Sequence, residues 1–342
     1  MQERSIEASA PCRIDSGGTW DIKAIAIPFE RIQPVTVNMA LDLRTGVLIS
    51  PFDDGWIKIS SEGFPGEEIS HFERLSFNSV FAIFFAAAAY FGFHGLEIRI
   101  RSDSPVKSAL GGSSTGIVAL LKALSGLCEA IGMKGLSRKE ILHLGYHIED
   151  GITGGNCGLQ DQAAAVYGGV NRWLWRYGRG DKNPGRERLI DRNGEKELSE
   201  RIVVAFSGKS HFSAEINRAW IRSFLKGETR HGWIKVNEIV SRFGDSIRER
   251  DWEKASSLLK AEMSIRRQIT PDVLIPETSM LIDQAEGSGC AARFAGAGAG
   301  GSVWAFGDPD KIRRLKYIWA ESLKNIKDGM VLECSVDHSG VM

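Results

Sequence analysis

The chain has 342 residues, 43% of them hydrophobic, and its 43 basic side chains balance 43 acidic ones. That length allows one large core or two modest ones, and a formal charge of zero argues against a protein that coats nucleic-acid phosphates. The 38 glycines exceed the usual share of about 7% and fall in clusters, the signature of tight loops beside a ligand and not of a disordered linker.

The opening MQERSIEASAPCRIDS carries early acids and no apolar core segment, so it is not expected to be a signal peptide. Short β-like runs follow at Ile22 to Ile27, Val35 to Met39, Gly46 to Ser50 and Trp56 to Ser60, with Asp53-Asp54-Gly55 as a hairpin turn between the last two. The longest apolar run, Val80 to Phe93, has 14 residues, short of the roughly 20 a bilayer span needs. It predicts a buried helix over Phe81 to Phe93. LEIRIRSD then alternates Leu96, Ile98 and Ile100 with charged partners, which predicts a half-buried strand.

From Ser113 to Ile131 the apolar residues recur at helical spacing, and Ser137 with Glu140 forms a capping box for a helix running to Asp150. TGGNCGLQD is a glycine-rich loop, and NRWLWRYG is a strand. Tyr177 to Glu200 is polar and predicts a hairpin with an exposed loop. RIVVAFSG is a buried strand, Ser213 to Glu286 is mostly helical with breaks near Thr270-Pro271 and Pro276, and CAARFAG, SVWAFG and VLECSVD close the chain as strands. The order predicts an α+β chain of two packed halves, domains 1–190 and 191–342, with the boundary between residues 178 and 205. The five cysteines are scattered without a C-x-x-C pair, so a reducing cytoplasm is expected, with neither membrane nor nucleic acid as partner.

Three glycine-rich segments are the candidates for chemistry. PVKSALGGSS precedes a long helix: Gly111 and Gly112 let a backbone approach a phosphate, the helix N-terminus offers free N–H groups, and Ser113 and Ser114 add hydroxyls. The alternative is a serine cap after a glycine turn. The second segment holds Asp161, with Glu149 twelve residues earlier. Each carboxylate alone fits a cap or an exposed helix position, but with Ser114 they form an oxygen-rich set suited to magnesium. In the third, FAGAGAGGSVWAF, Gly296, Gly298 and Gly301 satisfy G-x-G-x-x-G. A dinucleotide fold needs a helix next, and an apolar strand follows instead, so a loop beside a phosphate fits better than a nicotinamide oxidoreductase. His143 and His147 lack the glutamate of a zinc-protease helix, and Gly208-Lys209-Ser210, which resembles the end of a Walker loop, has Val203 where the first glycine must be.

APCRIDSGGTWD, PVKSALGGSST and FAGAGAGGS, in that order, resemble the three motifs of the GHMP kinase superfamily, and the resemblance covers most of the chain. IDSGGTWD, GLQDQAAAVYGG and AFSGKSHFSAEI are most similar to its sugar kinase branch, the D-glycero-D-manno-heptose 7-phosphate and L-fucose kinases. The resemblance implies an N-terminal ribosomal protein S5 domain 2-like domain, a C-terminal ferredoxin-like domain and a site between them. It implies Asp161 as catalytic base with Arg13 polarising the acceptor hydroxyl, and Ser108, Ala109, Gly111, Gly112, Ser113 and Ser114 around the ATP phosphates. Ser114 and Glu149 would hold Mg2+, and Asp21, Gly296 and Gly298 would meet the substrate, with Gly300 and Gly301 in the third loop. Ala299 departs from the family pattern there, where glycine is usual. ATP and a sugar or sugar phosphate are the implied small-molecule partners, in a monomer or homodimer, with transfer to an anomeric hydroxyl. Lys23, Lys209, His211 and Arg218 are the cations considered as anchors for an acceptor phosphate. A non-sugar alcohol such as mevalonate, and a non-catalytic sugar- or nucleotide-binding regulator, are the alternatives.

Overall fold

The structure, a computed structural model, describes residues 5–17, 19–64, 66–178, 184–210 and 213–342; His211 lies outside them. Apolar alternation gathers the first half of the chain into a seven-stranded sheet. Its centre is β2 (Val35–Pro51), a 17-residue strand that pairs along its length with β1 (Ile6–Asp15). The β1–β2 register shifts between Pro11 and Cys12, a bulge of the kind that re-aims the side chains beyond it. Arg13 and Asp15 lie just past that shift. The other edge of β2 is shared by β5 (Leu96–Ser102) and β6 (Val170–Leu174). β3 (Trp56–Ser61), β4 (Glu67–His71) and β7 (Gly185–Arg188) complete the sheet.

One face of this sheet is covered by α2 (Ala82–Phe91), α3 (Gly112–Ala130), α4 (Arg138–Ile152) and α5 (Gln160–Tyr167). α3 buries thirteen residues, Ile117, Leu120, Leu121 and Leu124 among them. It starts at Gly111, whose φ of +82° lies in the left-handed region that glycine enters without strain. Ser137 and Glu140 close the capping box on α4.

The second half builds a four-stranded sheet ordered β11 (Met330–Leu332), β8 (Ile202–Phe206), β10 (Ser302–Phe306), β9 (Ala291–Phe294), antiparallel throughout. Its helices are α7 (Ser213–Lys226), α8 (Arg230–Glu249), α9 (Trp252–Ile269), α10 (Pro276–Gly287) and α11 (Pro309–Leu323). The two sheets are joined by buried charges. Arg293 on β9 donates from Nη1 to Asp15 Oδ2 at 2.6 Å and from Nε to Glu262 Oε2 at 3.2 Å, and Arg266 stands 3.7 Å from the other Glu262 oxygen.

The α+β architecture follows the expectation, as do the helices from Phe81, Ser113 and Ser137 and the strands in CAARFAG and SVWAFG; of VLECSVD only Val331 and Leu332 lie in a strand, β11. Five local expectations do not. Ile22 to Ile27 is not a strand: Lys23–Ala26 forms a short helix, α1, which buries Ile25 and Ala26. Val35 to Met39 and Gly46 to Ser50 belong to one strand, and β5 intervenes between β2 and β3, so Asp53-Asp54-Gly55 turns the chain without making a hairpin. β3 pairs with β5 in parallel. Asp161 is in the first turn of α5 and not in a loop. Before Glu200 the expected hairpin does form, β7 pairing with β6, but it is followed by helix α6 (Arg192–Ser199), capped by Asp191, which was not expected. β1 itself escapes the pattern because seven of its ten residues are buried, the last six in a row, and alternation is lost.

Removing Arg293 should strip Asp15 and Glu262 of their shortest ion pairs, leaving only the longer contacts to Arg13 and Arg266. The expected cost of Arg293→Ala is about 3–5 kcal/mol, measured by urea unfolding; a loss below about 1 kcal/mol would show that the ion chain does not join the sheets.

Candidate active site

The two halves enclose a cavity of about 330 Å³. Its walls come from β1, the turn before α3, the end of α4, the start of α5 and helices α7 and α9. Arg13, Asp21, Asp161, Ser114, Glu149 and Gly296 all line it, as do Ser108, Ala109, Gly111, Gly112 and Ser113. Gly298 does not: a side chain there would press on Val273 and Phe294, so it supports the wall from behind. Gly301 has the same supporting place, pressed against Ala109 and Ser108.

Arg13 organises the centre. Its Nε and Nη2 both reach Asp161 Oδ1 at 2.7 Å, Nη1 donates to the Ala109 carbonyl at 2.6 Å, and Asp15 Oδ1 is 4.0 Å away. Burial opposes the Arg13 charge, but the facing Asp161 and Asp15 carboxylates outweigh it and raise the pKa. Burial would likewise raise Asp15, yet Arg293, Arg13 and the Gly296 N–H hold it below the usual carboxylate range. The Arg13 contact pins the loop before α3, where Ala109 has a φ of +64°, a left-handed conformation that costs a non-glycine residue energy and persists only when its surroundings impose it. A side chain at Gly111 would be strained by its φ of +82° and would crowd Asp161, its Cβ 3.2 Å from Asp161 Oδ2.

Beside this, Ser114 Oγ donates to Glu149 Oε2 at 2.7 Å. Glu149 is fully enclosed, and desolvation raises its pKa despite hydrogen bonds from Ser114 and Ser113. A buried carboxylate and hydroxyl without a paired cation are hard oxygen donors suited to magnesium, which takes few protein ligands and keeps water or phosphate oxygens. Among the described residues no cluster of three or more His, Cys, Asp or Glu forms a closed metal site, and the histidine pair His143 and His147 stacks ring to ring at 6.4 Å.

Asp21 lies on the other side of Asp161. It accepts from the Gln160 N–H at 3.1 Å, and Gly158 is so close that a Cβ there would stand 1.8 Å from Asp21 Oδ2. Burial, then repulsion from Asp161, pushes the Asp21 pKa up to about 7. The remaining walls differ in character: Phe64, Phe81, Phe84 and Val106 make one end apolar, whereas Thr19, Asn217, Trp220 and Arg266 line the other.

Of the anchor cations considered from sequence, the three among the described residues, Lys23, Lys209 and Arg218, do not line the cavity. Lys23 pairs with Asp150 at 2.9 Å, Lys209 pairs with Glu277 at 3.3 Å, and Arg218 is exposed. Arg266 was missed because nothing local marks it; its guanidinium is packed among Trp220, Trp233 and Phe294. Asp15 was also missed, although its place two residues after Arg13 puts both on one face of a strand. Ala299 has a φ of +56°, which explains why glycine suits that position.

Asp21 gives a pH test. Its folded pKa near 7 exceeds the ordinary value of about 4, so the fold is favoured with Asp21 neutral and loses stability as pH rises from about 4 to 7. Asp21→Asn should therefore stabilise the protein more at pH 8 than at pH 5, read as the difference in unfolding temperature. An equal effect at both pH values would contradict the shift.

Comparison with known proteins agrees with this geometry. The family described as "GHMP kinases N terminal domain" matches residues 78–169, and "GHMP kinases C terminal" matches residues 245–325. D-glycero-alpha-D-manno-heptose 7-phosphate kinase of Campylobacter jejuni is 27% identical over 247 residues, covering 72% of this chain and 69% of that protein. Lactococcus lactis galactokinase, solved with galactose, superposes with a TM-score of 0.78 at 16% identity, covering 99% of this chain and 95% of its own. Methanococcus jannaschii mevalonate kinase gives 0.73 at 18% identity, covering 98% and 99%. With both family domains in order, and with the glycine loop before α3, Arg13 and Asp161 gathered in one cavity, the chain belongs to the GHMP kinases.

Proposed function

We propose that the protein transfers the γ-phosphate of ATP to a hydroxyl of a sugar or sugar phosphate, with heptose 7-phosphate the first acceptor to test. The observation that carries this is the contact of Asp161 with Arg13 directly against the phosphate loop, where Gly111 leaves Asp161 room. The sugar class rests on the relative named as a heptose 7-phosphate kinase.

In this reading the adenine occupies the apolar end, near Phe64, Phe81 and Val106, and the phosphates lie over the N-terminus of α3. That terminus supplies free N–H groups and the positive end of the helix dipole. Ser114 and Glu149 would hold magnesium, which would supply neutralisation of the phosphate charge. Asp161 orients the acceptor hydroxyl and takes its proton as the new O–P bond forms and the bond to the ADP oxygen breaks. Arg13, 2.7 Å from Asp161, stabilises negative charge developing on the attacking oxygen. Asp21, poised near neutrality, donates or accepts toward neighbouring hydroxyls, and Arg266 is the cation at the acceptor end.

The supports for placing two domains at 1–190 and 191–342 are that β7 ends at Arg188 in the first sheet and β8 starts at Ile202 in the second. The supports for a cytoplasmic location are five cysteines without a disulfide and no helix long and apolar enough to cross a membrane among the described residues. A mevalonate-type acceptor has the fold of the Methanococcus enzyme in its favour, and a panel of heptose 7-phosphate, fucose, galactose, mannose, mevalonate and homoserine separates the two.

Asp161→Asn should lower turnover on the order of a thousandfold while ATP affinity changes by less than about twofold. ADP release and nucleotide titration measure the two quantities; full residual turnover would remove Asp161 from the chemistry.

A further inference from the structure

Gln162 has no role in the transfer as described, yet it touches both residues of the oxygen pair. It follows Asp161 on the first turn of α5 and is fully buried. Its Nε2 donates to Glu149 Oε2 at 2.6 Å and lies 3.3 Å from Ser114 Oγ, while Ser114 Oγ donates to the same Glu149 oxygen at 2.7 Å. Glu149 Oε2 thus carries two donors, which fixes the carboxylate about its last bond, and the Ser113 hydroxyl adds a third hydrogen bond to the same group. Three separate helices meet here: α3 brings Ser114, α4 brings Glu149 and α5 brings Gln162.

The orientation of the amide is itself informative. Among the described residues Gln162 Oε1 is buried with no hydrogen-bond partner, and leaving a buried acceptor unsatisfied is costly. Turning the amide over would set that oxygen against the Glu149 carboxylate. The N–H donation to a charged acceptor is the stronger demand, and the orphaned oxygen is its consequence.

We propose that Gln162 is a positioning residue that holds Glu149 and Ser114 in the arrangement magnesium requires. This rests on the kinase reading, and it assigns Gln162 no contact with the acceptor or the reacting atoms. Residues that orient metal ligands typically account for 10- to 100-fold in metal affinity.

The test uses Mn2+ as a paramagnetic stand-in, titrated by electron paramagnetic resonance against the full-length protein with a non-hydrolysable ATP analogue. Gln162→Met removes both donor contacts at nearly constant volume, and Gln162→Asn withdraws the donor by one methylene. The expected result is a roughly 10- to 100-fold weaker Mn2+ affinity for the Met variant and a smaller loss for Asn. Acceptor KM should stay unchanged, and raised Mg2+ should restore turnover, which a purely structural role would not produce. If the Met variant fails to fold, the Asn variant decides. Mn2+ affinity within twofold of wild type in the folded variants overturns the proposal alone, whereas a wild-type protein that binds no Mn2+ with nucleotide overturns the kinase reading along with it.

Discussion

The buried Arg13 guanidinium is the constraint on which the rest of the site depends. One side chain grips Asp161 and the Ala109 carbonyl and stands beside Asp15, so the candidate base, the phosphate loop and the first strand cannot move independently. Charge of one sign alternates with the other from Asp161 through Arg13, Asp15 and Arg293 to Glu262 and Arg266. Ions this deep are favourable only when each is paired, which ties the geometry of the cavity to the packing of the two sheets.

The three glycine segments become one structure around this chain. Ser302 N–H donates to the Ser108 carbonyl at 2.8 Å, and Gly301 lies so close to Ala109 that a Cβ there would be 2.5 Å from its methyl. The third loop therefore braces the phosphate loop from behind, while Gly296 contributes its N–H to Asp15 at 2.9 Å. Glycine is used where two backbones must touch. That explains why a G-x-G-x-x-G pattern occurs with no dinucleotide helix after it: β10 follows, and the loop serves another loop.

Much of this was legible in the sequence, for a physical reason. Ser114, Glu149 and Asp161 sit in or beside short glycine-rich segments and helix ends that are local signals, Arg13 was marked only by the resemblance of its segment to the family, and all four line the cavity. Helices such as α3 and α4 announce themselves by apolar spacing and a capping box. Pairing was not legible: β5 inserts between β2 and β3, a choice made by tertiary packing and not by the Asp53-Asp54-Gly55 turn. Long-range partners were equally hidden. Arg266 reaches the cavity from a helix more than 200 residues after Arg13, and neither it nor Arg293 carries a local mark of its role. Gln162 is an ordinary helix residue until Glu149 and Ser114 are folded against it.

The central claim is that this cavity moves a phosphoryl group from ATP to a sugar hydroxyl, and the product tests it most directly. Phosphorus NMR of the protein incubated with ATP, magnesium and heptose 7-phosphate should show ADP together with a second sugar phosphate ester, coupled to the anomeric proton. ADP with free inorganic phosphate and no new ester, or a new ester only when mevalonate or homoserine replaces the sugar, would contradict it.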